Sequence, residues 1–146
     1  MEQSSPKSPV IYLSWQTLIA PYQHSVPALS IFQLVTTLLG YVIVWGLMIF
    51  SLKITYWFTF LLIILSAFFL MRIFIIFHDC GHGSFFKSKT ANRRVGFFLG
   101  VLTFTPSVDW WHEHAIHHAT AGNLDKRGTG DVTMLTVEEY GNSSPW

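Results

Sequence analysis

A chain of 146 residues has room for one ordinary domain, but 51% of this one is hydrophobic, 16% aromatic and only 12% charged, against roughly 25% charged in a typical soluble domain. Nine basic against eight acidic residues leave a net charge of +1, which excludes the strongly basic balance of a nucleic-acid binder. The single cysteine, Cys80, excludes an internal disulfide and a CxxC zinc pair, and suits a reduced, cytosol-facing location.

Residues 1–9, MEQSSPKSP, are polar with two prolines and are expected to form a mobile tail. They lack the basic start and apolar core of a cleaved signal peptide. Residues 10–30 mix aliphatics with Tyr12, Trp15, Pro21, Tyr22 and Pro27. That composition suits a segment lying at lipid headgroups, and equally a plain surface segment. Residues 1–30 are thus set apart from a domain over 31–146. Residues 31–52 carry no charge; as a helix they reach about 33 Å, enough to cross a hydrocarbon core of about 30 Å. Lys53 interrupts, and residues 54–77 then carry only Arg72. As a helix this second stretch reaches about 36 Å and spans with some tilt. Two such stretches with one lysine between them exceed what a domain of this size can bury, so a membrane hairpin is expected rather than two soluble core helices.

The short connection at Lys53 makes that hairpin antiparallel and leaves both of its ends on one side. That side holds the N-terminus, Lys87, Lys89, Arg93 and Arg94; the far side exposes little beyond Lys53. The excess of cations assigns the first side to the cytoplasm. Arg72, near the cytosolic end of the second helix, either snorkels to the interface or holds an acidic group. Residues 95–104, VGFFLGVLTF, are apolar but too short to span, as in an interfacial or re-entrant piece. Thr105-Pro106-Ser107 marks a helix start, and the helix carries DWWHEHAIHH. Residues 122–131, GNLDKRGTGD, read as a loop with three glycines, and the remainder to Trp146 is short and polar. The expected fold is an all-α membrane protein: a two-helix transmembrane hairpin followed by interfacial and cytosolic helices.

Six of the seven histidines lie between residues 78 and 118. In HDCGH, His78 and His82 are four apart, so they share a helix face if the second span continues past Phe77. In HEHAIHH, the histidines His114, His117 and His118 follow the i, i+3, i+4 pattern of one face. His112 is rotated about 200° from His114 and falls off that face. His24 reads as an isolated surface residue. Five convergent imidazoles, neutral at cytosolic pH, offer lone pairs to a metal. They exceed a tetrahedral zinc site, and HDCGH is not the HExxH of a zinc protease. Copper or haem also accepts imidazole, although a bis-histidine haem needs only two of the five. Two irons, each with several nitrogens and an open position for O2, use the most.

These residues resemble the histidine boxes of the membrane fatty acid desaturases. HDCGH is similar to the first box, HxxxH, and WWHEHAIHH to the second, in which a tryptophan, here Trp110, stands four residues ahead of HxxHH. The flanking HGSFF and the HHATAGN continuation are similar as well, and the likeness covers roughly residues 30–135. Proteins of that family are usually more than twice this length and carry a third box, HxxHH, whereas no histidine follows His118 here. The chain therefore resembles the N-terminal part of such a protein, and by itself is expected to have little or no activity. The resemblance implies that His78, His82, His114, His117 and His118 are ligands of a non-haem di-iron centre at which O2 is the co-substrate, with no catalytic residue separate from the ligands. It implies an acyl chain of a membrane lipid as substrate, and an external electron donor such as ferredoxin or cytochrome b5. A related di-iron hydroxylase and a non-catalytic membrane protein binding metal or haem are the competing readings.

Several polar residues near the boxes carry two readings each. Asp79 and Glu113, beside ligands but pointing elsewhere, either orient ligand N–H groups or are solvated helix surface; the same holds for Asp109, Asp125 and Asp131. Trp110 and Trp111 are interface anchors or core packing. Gly81 and Gly83 permit close helix approach or mark a frayed helix end. Lys87, Lys89, Arg93 and Arg94 are positive-inside charges, or a docking patch for an acidic donor.

Overall fold

A computed structural model describes residues 14–22, 24–128, 130 and 134–143. The expected tail at 1–9, and Tyr12, Asp131 and Trp146, lie outside the described residues. Among those described, every regular element is a helix, in line with the all-α expectation.

A short α1 (Trp15–Ile19) begins at Ser14, whose hydroxyl accepts from Thr17 N–H. The first long helix, α2 (Pro27–Ser51), opens with a proline in its first turn, where the missing N–H costs nothing. It therefore starts four residues ahead of the charge-free run. The second, α3 (Tyr56–Gly81), is capped by Thr55 and runs past Phe77 through the first histidine box. The turn between them, around Lys53, is as short as expected.

Both helices are long and apolar enough to cross a membrane, and only 17% and 28% of their most apolar 18-residue windows are buried. Leu39, Val42, Leu61 and Phe68 stand more than half exposed. A soluble core helix hides such side chains; these need an apolar surrounding. The faces the two helices turn to each other are different in kind. On α2 the buried positions are Ser30, Thr37, Val44 and Ser51, seven residues apart, and on α3, which packs against it, Thr59, Leu62, Ser66 and Ile73 are buried. Small residues bring the backbones close, and hydroxyls bond across: Ser51 Oγ lies 2.7 Å from Thr59 Oγ1, and Arg72 Nε donates to Thr37 Oγ1 at 2.9 Å. Arg72 thus grips the partner helix, and no carboxylate among the described residues pairs with it.

Beyond α3 the chain turns back. Asn92 is only 2% exposed and holds the connecting loop: it accepts from Phe86 N–H and donates to the Phe86 and Ser88 carbonyls. Ser30 Oγ donates to Phe85 O, joining the start of α2 to the same loop. Ser88 then caps α4 (Lys89–Leu102), which extends the expected 95–104 piece six residues towards the N-terminus. α4 runs back along α3, with Gly96 against Cys80 and Gly100 against Phe77. At the α4–α5 turn Phe104 adopts φ 54° and is 93% exposed. α5 (Ser107–Thr120) returns after Pro106, at the expected start. Residues 95–104 thus run antiparallel to the end of α3. The core lies at this end of α3: Ile73, Ile76, Phe77, Cys80, Phe85 and Leu99 are buried, with Trp110 and Trp111 packed on them.

The segment after the glycine loop is not merely polar coil. Thr136 and Glu139 form a reciprocal capping box at the start of α6 (Val137–Asn142), and Glu139 also receives both Arg127 Nη groups, at 2.8 and 2.9 Å.

Candidate metal centre

The first box rides on the last turn of α3, and its closing residue, His82, is the C-cap. Four-residue spacing stacks His78 and His82 with their Nε2 atoms 3.2 Å apart. α5 brings the second box to the same place because Trp111 wedges between α3 and α4. The indole fills the space that a Cβ would need at Gly81, and at Gly96 a Cβ would lie 2.6 Å from Trp111 Cζ2. Its ring stacks on Phe77 at 5.5 Å. Trp110 stacks face to face on His114, centroids 4.4 Å apart, and so fixes the plane of that imidazole. Of the alternatives read from sequence, both tryptophans are therefore packing residues, and Gly81 serves close approach.

His82 Nε2 lies 3.1 Å from His114 Nε2, and His114 Nε2 lies 3.0 Å from His118 Nε2. The ligand atoms of His78, His82, His114 and His118 all fall within 4.8 Å of one another. His117 is not one of the four: its ring is 6.0 Å from that of His114 and packs against Gly130. With Trp110, Glu113 and His114 it lines an adjoining hollow of about 280 Å³. His24 and His112 are exposed and outside the cluster.

The arrangement suits a cation better than it suits hydrogen bonds. A neutral imidazole Nε2 has either one proton or one lone pair. In the run His78–His82–His114–His118, each inner nitrogen can therefore satisfy only one of its two neighbours, and at most two of the three contacts are hydrogen bonds. A metal accepts all four lone pairs. Two nitrogens about 2.1 Å from one ion are roughly 3.0 Å apart at a right angle and 3.4 Å at the tetrahedral angle; the observed 3.0–3.2 Å contacts fit that spacing.

Burial and crowding favour the deprotonated form of two of the donors, His82 and His114. Burial, then the neighbouring His78, His118, His82 and His117, pushes His114 down to about 4. His82 is lowered for the same reasons, burial first and then His78 and His118. Asp79 acts on the other side of the ring: His78 Nδ1 donates to Asp79 Oδ1 at 3.0 Å, which leaves the Nε2 lone pair facing the cluster. Of its two sequence readings, Asp79 takes the orienting one. Asn92 and Ser30 secure the loop leaving His82; Asn92, in a polar stretch, carried no sequence signal, and the only hint at Ser30 is a polar residue in an apolar run.

The family model for fatty acid desaturases matches residues 54–136. A fatty acid desaturase of Bacillus subtilis (strain 168) is 54% identical over 111 residues, covering 76% of this chain and 32% of the relative. An sn-1 acyl-lipid omega-3 desaturase (ferredoxin) of Synechocystis sp. is 38% identical over 74 residues, 51% of this chain and 20% of the relative. An endoplasmic-reticulum omega-3 fatty acid desaturase of Vigna radiata is 41% identical over 54 residues, 37% of this chain and 14% of the relative. The chain thus spans a third or less of the length of these relatives. No solved structure matches it.

Proposed function

The chain belongs to the fatty acid desaturase family, and we propose that its histidine cluster is part of a non-haem di-iron centre where an acyl chain is desaturated at the expense of O2. The observation that carries this reading is the convergence of His78, His82, His114 and His118 within 4.8 Å; His117 is the fifth ligand in the proposal. The reaction takes two hydrogens from neighbouring methylenes. Such C–H bonds are too strong for a side-chain base, so iron and O2, when bound, supply the hydrogen-atom chemistry.

The protein's own residues position. Asp79 holds His78 in the tautomer that presents Nε2, Trp110 fixes the His114 ring, and Trp111 sets the distance between the two boxes. α2 and α3 cross the bilayer, and the cluster stands on the cytoplasmic side where α3 ends. An acyl chain then reaches it directly from the lipid. Two electrons per turnover come from an external donor, ferredoxin or cytochrome b5; the names of the Synechocystis and Nostoc relatives include ferredoxin. Five imidazoles are few for two irons, and the 146-residue chain alone is expected to turn over little or no substrate.

Iron analysis of the purified, iron-loaded protein tests the metal assignment. Bound iron without a Soret band is expected, lost in His78→Ala and His114→Ala and retained in His24→Ala. Full iron retention in the two ligand variants, or a haem spectrum in the parent, overturns it. In a longer protein containing these residues, acyl-lipid, oxygen and a reduced donor should yield a product lacking two hydrogens; a hydroxylated product would favour the sister chemistry.

A further inference from the structure

A cavity of about 670 Å³ lies between α4 and α5, apart from the histidine cluster. Lys89, Arg93 and Arg94 line one part of it, and Phe97, Val108 and Trp111 another. Among the described residues, none of the three cations is in an ion pair. Their placement works against the helix that carries them. Lys89 and Arg93 are like charges four apart, a spacing that weakens a helix. Lys89 also stands in the first turn of α4, where the helix dipole disfavours a cation. Three uncompensated charges around one hollow call for an anion.

Depth identifies the anion. α4 descends along α3, so that Gly96 meets Cys80 and Gly100 meets Phe77. From that level down, Phe98, Val101, Phe104 and Val108 are exposed at 55%, 60%, 93% and 68%, a surface that lipid covers favourably. The cations lie about one to three turns of α4 above it, where α3 leaves its apolar run, which is the depth of lipid phosphates. The hollow is therefore charged at its outer part and apolar at its inner part, as a glycerophospholipid is.

We infer that this cavity binds the phosphate headgroup of an anionic membrane phospholipid. The Arg93 and Arg94 guanidinium groups and the Lys89 ammonium donate to its oxygens, while Phe97, Val108 and Trp111 face the glycerol and first methylenes. Planar guanidinium forks suit phosphate, and the Thr90 and Ser107 hydroxyls in the lining add further donors. A concave, half-apolar site fits a lipid headgroup better than the flat face of an acidic protein. The inference rests on the membrane reading, not on the iron chemistry. Because Trp111 forms one wall here and stacks on Phe77 on its way to the boxes, a bound lipid fastens α5 to α4.

The test uses the purified, detergent-solubilised chain, stripped of lipid and without iron. Short-chain phosphatidylglycerol is titrated and binding is read by phosphorus NMR and native mass spectrometry, with phosphatidylcholine and inorganic phosphate as comparisons. Phosphatidylglycerol is expected to bind best. R93Q/R94Q should weaken it by roughly thirtyfold, the loss expected for two cations at an anionic lipid surface. R93K/R94K should recover much of the affinity, and Lys89→Gln should give a smaller loss that remains readable if the double variant misfolds. Arg127→Gln, outside the cavity, should change nothing. Equal binding of phosphatidylcholine, or indifference to both the R93Q/R94Q and Lys89→Gln changes, overturns the proposal. Inorganic phosphate that binds as well as the lipid overturns the lipid assignment in favour of a soluble anion. The outcome is independent of iron content and turnover, so it separates from failure of the desaturase reading.

Discussion

The hairpin and the cap built on its end are made from the same kind of residues and hold together in opposite ways. Along most of α2 and α3 the large side chains point outward, and the contact is made by Ser30, Thr37, Ser51, Thr59 and Ser66. In the cap, formed by the end of α3 with α4 and α5, one set of large side chains turns inward and makes a core, Phe77, Leu99, Trp110 and Trp111, while Phe98, Val101 and Phe104 stay outside. The difference follows from the surroundings. Apolar surface gains nothing by leaving lipid, so the hairpin associates through close packing and interhelical hydrogen bonds. The cap meets water on one side and gains by burial in the ordinary way. The clustered histidines stand on the region that has a true core, which is where side chains can be fixed to a few tenths of an ångström.

That contrast can be broken at either end. The largest effect is expected in the cap. Gly96→Ala would place a methyl 2.6 Å from Trp111 Cζ2 and 2.9 Å from Cys80 Cβ, an overpacking worth about 1–3 kcal/mol. Near-ultraviolet circular dichroism should report a loosened cap while far-ultraviolet helicity of the hairpin persists; joint loss of both signals would make the two regions one cooperative unit. Asp79→Asn leaves packing alone and removes the carboxylate that orients His78. Iron affinity should fall about ten- to hundredfold, read by competition with a chelator, and an unchanged affinity would remove Asp79 from the site.

Acid should separate the regions next. His114 in the folded protein titrates near 4, against 6.5 ordinarily, so below 6.5 the unfolded chain binds more protons than the folded one. Stability of the metal-free cap is therefore full above pH 6.5 and is lost progressively as pH falls towards 4. Tryptophan fluorescence should follow that loss while the hairpin stays helical; a cap indifferent to pH over this range would contradict the crowding of the imidazoles. The smallest effect is expected in the hairpin. Ser51→Ala deletes the 2.7 Å contact to Thr59 at about 0.6 kcal/mol, measurable by unfolding in denaturing detergent, and iron affinity should not respond.

The two spans and both boxes were legible because each rests on a local rule: unbroken apolar length, and histidines at helical spacing. What the sequence obscured depends on relations between helices. His114, His117 and His118 do share a broad face, but they do not converge equally. On a 100° per residue helix, His114 and His118 differ by about 40° and His117 lies about 60° to the other side, so His114 and His118 meet His82 while His117 stands beside them. Trp111 shows the same limit. Its role depends on Gly81 and Gly96, two glycines on different helices that no spacing rule connects. The start of α2 at Pro27 and the capping box at Thr136 and Glu139 were, by contrast, written locally, in a proline at a first turn and in a TxxE pattern.

The return of α4 and α5 along the end of α3 has a consequence for how the protein is made. All four clustered imidazoles come from residues 78–118, and the two helices bearing them, α3 and α5, are separated only by α4 and its two short turns, so a modest loop must close to bring them together. Assembly of the ligand set can begin as soon as α5 has left the ribosome, with α3 already inserted and serving as the template on which the later helices settle.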